Sequence, residues 1–242
     1  MLHRALRNFT FHTGTEEKPS FSVIHPEYSR PLDPASGSLL AVNYERNVLI
    51  YDNHKFCFLL LFCVTLRSGP CKMVHVDRHW DTRITELSHC RWLYEMNDIQ
   101  GCFKYVDVVL QEGDFIIPAI RKTLLKEIYF VVPCSEDERR ANLSECLRAG
   151  AQRASTFHGL KDLENIDSRE FVLDIDLDYF LDENGGLTHS REELAALLKR
   201  DWLGVGVALS PHYCGGIGPA LSFLRPLLRH ADIPVRRFVI PL

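Results

Sequence analysis

The sequence predicts an α/β protein of three layers, αβα, built on a mostly parallel sheet. Three observations carry that expectation. Apolar runs of strand length recur along the 242 residues, bounded by polar or turn residues, as strands buried on both faces require. Segments with helical spacing lie between several of them, and that alternation favours a parallel sheet covered on both sides. A hydrophobic fraction of 46% in a chain of this length is enough for one large core, so residues 1–242 are read as a single domain.

Taken in order, residues 13–38 mix Gly, Pro, Ser and charged residues without a period, so residues 1–38 are expected to be an irregular lead-in, with regular structure from Leu39. The strand-like runs are Asn47 to Tyr51, Lys72 to Val76, Val106 to Leu110, Glu127 to Val132, Phe171 to Ile175, Gly204 to Leu209 and Arg237 to Ile240. Phe56 to Leu66 is apolar but only about half the length that spans a bilayer, so it reads as buried secondary structure and no membrane segment is expected. Ser135 to Gly150 is expected to be a helix with Leu143, Cys146 and Leu147 on one face and Gly150 ending it. In Ser190 to Lys199, SREE places a capping serine three residues before Glu193, followed by LAALL, a second helix.

Composition narrows function. Lys plus Arg total 28 against 32 acidic residues, so there is no basic field for nucleic acid. The eight cysteines never form a CxxC pair, which argues against zinc-ribbon and thioredoxin chemistry. Free thiols and an amino terminus without an apolar secretory stretch fit a reducing cytoplasm.

Chemistry concentrates at two strand ends. In KMVHVDRHWD an apolar strand leads into Asp77, His79 and Asp81 at every second position. FVLDIDLD repeats the design with Asp174, Asp176 and Asp178. Loops at the carboxyl ends of strands in open α/β sheets build the crevice where ligands collect. Carboxylates crowded there repel one another unless cations neutralise them. With His54 and His79 added, Asp77, Asp81, Asp174 and Asp176 bring four negative charges to two divalent cations. A donor set of carboxylate and imidazole without thiolate favours Mn2+, with other divalent metals compatible.

A DxHxD motif followed further along by DxD resembles the ureohydrolase superfamily of arginases, agmatinases and the related deacetylase fold. The order VLIYDNH, HVDRHWD, GDFIIPAI, IYFVVP, DIDLDYF and SPHYCGG is similar to the peptide arginases over residues 46–216. That resemblance implies an arginase/deacetylase-like fold and a binuclear-metal hydrolase. Its partner would be an arginine-containing ribosomal precursor peptide, whose arginine side chains become ornithine with release of urea. His54 and His79 are then histidine ligands of the two metals, Asp77 and Asp174 bridge the pair, and Asp81 and Asp176 complete the set. His75 and Asp178 stand beside the motifs, as groups that orient ligands or, for His75, as a plain buried strand histidine.

The chain departs from the pattern at His212, where the family carries an acid that can hold a guanidinium. His212 is then a proton donor or simply a loop residue beside Pro211, with Asp178 or Asp114 supplying the negative charge. Two rival functions stand beside this one. One is another C–N hydrolysis on the same fold, of the agmatinase or deacetylase kind. The other is a metal-binding interaction protein without catalysis.

Overall fold

The computed structural model describes residues 10–15, 18–24, 39–43, 48–84 and 87–231. Two strands, β1 (Thr10–Thr15) and β2 (Lys18–Ile24), form an antiparallel pair. Within the span 1–38 read as an irregular lead-in, residues 10–15 and 18–24 are therefore strands. Phe21 and Val23 alternate with Ser20 and Ser22, a period of two that the Gly and Pro content of the region masked. Residues 25–38 lie outside the described residues, as does the strand expected at Arg237 to Ile240.

The main sheet holds β3 (Leu39–Asn43), β4 (Val48–Tyr51), β5 (Cys71–Val76), β6 (Leu125–Val131), β7 (Arg153–Thr156), β8 (Phe171–Asp176) and β9 (Gly204–Ala208). Their order is β3-β4-β9-β8-β5-β6-β7. Only β3 pairs antiparallel; the other neighbours are parallel. Chain order runs outward in opposite directions from the centre, β5 to β6 to β7 on one side and β8 to β9 on the other. The direction reverses between β5 and β8, and a crevice opens at their carboxyl ends for that reason.

Alternate residues of each strand feed two cores, one on each face. On one face Leu49, Tyr51, Met73, Ile128, Phe130 and Val172 pack with α1 (Cys57–Ser68), α3 (Ile99–Val108), α4 (Ile116–Arg121) and Cys146 of α5 (Glu136–Ala149). α2 (Leu87–Glu95) precedes α3 and contributes Leu93 to the same core. On the other face Ile50, Val74, Val76, Leu173, Ile175 and Val207 pack with α6 (Arg191–Lys199) and α7 (Ile217–His230). These are the three layers expected. α1 is buried on every side from Cys57 to Val64, which explains an apolar run with no polar stripe.

Both helices form as read: Ser190 with Glu193 closes the expected capping box and Gly150 ends α5 at φ 115°, and Ser135 with Glu138 closes a second box beyond the one expected. Leu147 is the exception on α5, exposed while Cys146 is buried. The strand expected at Val106 to Leu110 is instead the end of helix α3. Ile99, Cys102, Phe103 and Val106 follow the i, i+3, i+4, i+7 spacing of one helical face, and Asp98 caps it by accepting from Gly101 N at 2.7 Å. A window of five residues was too short to show that period. Among the described residues no helix is long and apolar enough to cross a membrane.

Candidate functional site

Three carboxyl strand ends deliver the polar residues. β4 ends at Tyr51, and a 3-10 turn, His54–Phe56, follows, capped by Asn53, whose side chain accepts from Lys55 N. Lys55 reaches out to donate Nζ to the Asp107 carbonyl at 3.0 Å, which fixes the turn and leaves the His54 ring facing inward. β5 runs out into Asp77, whose Oδ1 accepts from His79 N at 2.7 Å. β8 runs out through Asp176, whose Oδ1 accepts from Asp178 N at 3.0 Å. Both are aspartate turns that close on the backbone two residues later.

The two histidine–carboxylate groups so assembled differ in depth. His75 and Asp174 are register partners inside β5 and β8. Asp174 accepts from His75 Nδ1 at 2.7 Å, from Tyr51 Oη at 3.1 Å and from His54 Nε2 at 2.9 Å. His75 Nε2 lies 3.1 Å from the His79 carbonyl, so both His75 nitrogens donate and its ring carries the positive charge that matches Asp174. Tyr51 reaches Asp174 across β9 because position 206 is glycine: a Cβ there would lie 2.3 Å from Tyr51 Oη. Burial opposes charge on each group. Even so, Asp174 and Asp81 push the His54 imidazole well above its ordinary value, and the two histidines hold Asp174 below the usual carboxylate range.

The shallower group sits at the strand tips. His54 Nδ1 is 2.9 Å from Asp77 Oδ2, 2.9 Å from Asp81 Oδ2 and 3.3 Å from Asp176 Oδ2. These approaches are close, but His54 Nδ1, Asp77 Oδ2, Asp81 Oδ2 and Asp178 Oδ2 are buried without a partner in hydrogen-bond geometry among the described residues. His79 Nδ1 lies 3.3 Å from Asp77 Oδ1 and 3.1 Å from Asp178 Oδ2. Asp77 therefore offers one oxygen to each side. Burial and the neighbouring Asp176 raise the Asp178 carboxyl, burial and Asp77 raise that of Asp176, and Asp178 with Asp77 lift His79 to about 10.

His54 Nε2 faces the Asp174 carboxylate, so the last ring proton belongs there, and a cation in the acidic cluster would take the place of the proton on Nδ1. An imidazole nitrogen and several carboxylate oxygens crowded together out of water fit a cation and nothing apolar. The donor atoms of His54, Asp77 and Asp81, and those of Asp77, His79 and Asp178, lie within 4.8 Å of one another in each group. His54, His75 and Asp174 make a third such group, but its donors are already engaged with one another. Backbone strain gathers here too: Asp81 has φ 49° and Ser210, whose hydroxyl donates to Asp176 Oδ2, has φ 39°.

Of the residues singled out in the sequence, His54, Asp77, His79, Asp81 and Asp176 come together at the tips. Asp174 does not join them: it lies two residues deeper in β8, about 6.6 Å of strand rise below Asp176. Asp178 takes the place beside His79. Asp176 is the last residue of β8 and Asp178 lies in the 3-10 turn beyond it, so these two stand at the tip, two residues further along than the motif alignment implied.

A cavity of about 380 Å³ opens over the tips, lined by His54, His79, Asp81, Asp176 and, on its outer walls, Arg78, Arg83, Glu112 and Tyr213. Asp114 and His212, expected at this wall, do not line it. Asp114 Oδ1 accepts from Gln111 N at 2.8 Å and closes the turn on which it sits. His212 is exposed on the loop after β9, and its neighbour Tyr213 takes the wall, its ring 5.4 Å from that of His79. Tyr51, Ser210, Glu112 and Tyr213 were missed by sequence reasoning. Glu112 had a signal in QEGD: Gly113, at φ 82°, reverses the chain, so the two flanking acids face different ways.

No family model matches this chain and no curated protein matches it. Solved structures do. The proclavaminate amidino hydrolase from Streptomyces clavuligerus is 19% identical, with 77% of this chain and 61% of that one covered at a TM-score of 0.47. A hypothetical agmatinase from Burkholderia thailandensis is 18% identical, covering 76% and 59% at 0.48. The formimidoylglutamase from Bacillus subtilis is 11% identical, covering 76% and 59% at 0.47. The chain spans about three-fifths of the length of these structures.

Proposed function

We propose that this chain is a metal-dependent hydrolase of carbon–nitrogen bonds that converts arginine side chains of a peptide to ornithine with release of urea. The observation that carries this reading is the set of buried, unpartnered donor atoms at the strand tips. His54, Asp77, Asp81 and Asp176 hold one divalent cation, and Asp77, His79 and Asp178 hold the second, with Mn2+ the first choice for a set of oxygen and imidazole donors. Four carboxylates then match two divalent charges. Held there, such cations would lower the pKa of a bound water toward neutrality and so supply a nucleophile.

The remaining work belongs to side chains. Asp174 fixes the tautomer and tilt of His54 by accepting a hydrogen bond from its Nε2, and His75 keeps Asp174 charged in its buried place. A departing amine needs a proton. His212, outside the cavity, is poorly placed to give it, whereas Tyr213 lines the wall and its hydroxyl stays protonated at neutral pH, raised by burial and by Glu112. The peptide substrate follows from the motif resemblance, and the half-exposed His79 leaves the tips open to a side chain presented from outside.

The test is to incubate the Mn2+-loaded protein with arginine-containing peptides, free arginine, agmatine, formiminoglutamate and acetyl-lysine peptides, and to follow urea, acetate and peptide mass. Urea with ornithine in the peptide is expected. Acetate release would move the chain to the deacetylase chemistry. Bound metal without turnover of any of these would leave a metal-binding interaction protein.

A further inference from the structure

We infer that Glu112 makes the anionic contact to the cationic end of the substrate. This rests on the hydrolytic reading above and assigns the residue that holds the guanidinium. A cation entering the cavity needs a carboxylate that nothing else occupies. On the outer wall the candidates are Glu112 and Glu138. Glu138 is occupied: its Oε2 accepts from Ser135 N at 2.9 Å and from Ser135 Oγ at 2.8 Å, capping α5. The neighbouring polar groups are also engaged, Thr82 with Asn142, and Asn142 Nδ2 with the Glu138 carbonyl at 2.8 Å.

Glu112 is half-buried and, among the described residues, makes no hydrogen bond or ion pair. Its place is fixed from below. Gly113 packs so that an added Cβ would lie 3.3 Å from Asp81 Oδ1, and its carbonyl accepts from Arg83 N at 3.2 Å. The turn bearing Glu112 therefore rests on one of the candidate metal ligands.

Charge balance points the same way. Asp77, Asp81, Asp176 and Asp178 are matched by two divalent cations, and Asp174 is matched by His75. Glu112 is the acid left over. Arg78 and Arg83 line the same cavity without an ion-pair partner among the described residues, and they repel a cationic substrate unless an acid offsets them. A carboxylate presents two oxygens to the planar fork of a guanidinium, a charge-assisted pairing that an imidazole ring cannot make.

Methylguanidine, titrated calorimetrically into Mn2+-loaded protein, tests this, with bound metal per chain measured on the same samples. Glu112→Gln is expected to weaken methylguanidine binding by at least about tenfold, the size of a lost hydrogen-bonded charge contact, while metal content stays at the wild-type level. Glu112→Asp should restore part of it. Undiminished binding in Glu112→Gln overturns the assignment and leaves the hydrolytic reading standing, and so does loss of metal, which would make Glu112 a ligand. A wild-type protein that neither binds methylguanidine nor releases urea from any amidine overturns both.

Discussion

Asp174 and Asp178 belong to one acidic run and both are fully buried, yet their surroundings are opposite. Asp174 sits inside β8 with Tyr51, His54 and His75 donating to it, and its carboxyl is held below the usual range. Asp178 sits just past the end of the strand, its Oδ2 without an aligned partner, and burial together with Asp176 raises its carboxyl. The deep group is satisfied by the fold itself; the tip group keeps buried polar atoms without aligned partners among the described residues. Polar atoms of similar burial thus separate by whether the fold itself satisfies them.

The largest effect that would break this contrast is at the tips. Asp77→Ala removes the carboxylate that faces both candidate cations, so both are expected to be lost and turnover to fall by more than about 10³-fold. Elemental analysis and a urea assay check it; a variant that kept two metals per chain would end the shared role of Asp77.

Next comes Asp174→Asn. Breaking a buried charge network by removing one partner costs about 3–5 kcal/mol, to be read from denaturant unfolding of the metal-free protein. Asp178→Asn is expected to cost less in the same metal-free assay, because relief of the repulsion with Asp176 offsets the lost contact to His79, while metal affinity drops. If both variants destabilised the metal-free fold alike, the distinction between depth and tip would not stand.

The pH profile of the metal-free protein sharpens the same point. Asp174 is depressed, so its stabilisation is present above the unfolded carboxylate value of about 3.9 and is lost as pH falls through the folded value. His54 and His75 are raised, so theirs is full below about 6.5 and is lost as pH rises through their folded values. The deep group should therefore stabilise most between those limits, and Asp174→Asn should flatten that window. Asp176 and Asp178 have the opposite sign: their raised carboxyls cost stability as pH rises above about 3.9.

The smallest effect belongs to Tyr51. Tyr51→Phe removes one hydrogen bond to a charged group, about 1.5 kcal/mol, and leaves metal content near wild type. Gly206→Ala should cost at least as much, since the new Cβ displaces the Tyr51 hydroxyl.

The layered α/β fold was legible because its strands are apolar runs and two of its helices carry end signals, the capping pair Ser190 and Glu193 and the terminating Gly150. Residues 106–110 misled because valine-rich ends of helices and strands look alike over so short a window. The tips were legible as chemistry through Asp77, His79 and Asp81, since alternation beyond a strand end has no packing purpose. What sequence could not give was depth. Period two puts Asp174, Asp176 and Asp178 on one side without saying where β8 stops, and that register decides which acid is structural. Glu112 and Tyr213 were hidden for a related reason: the reversal at Gly113 and the strained turn at Ser210 set which neighbour faces the cavity.

The central claim is that the strand tips hold two cations that share Asp77, with Asp174 outside the set. Calorimetric titration of Mn2+ into the metal-free wild type, Asp77→Ala and Asp174→Asn proteins tests it most directly. Two ions per chain are expected for the wild type, none for Asp77→Ala, and two for Asp174→Asn with affinity weakened about 10- to 100-fold through the loosened His54. A wild type that takes up no metal, or an Asp77→Ala protein that still binds two, would contradict it.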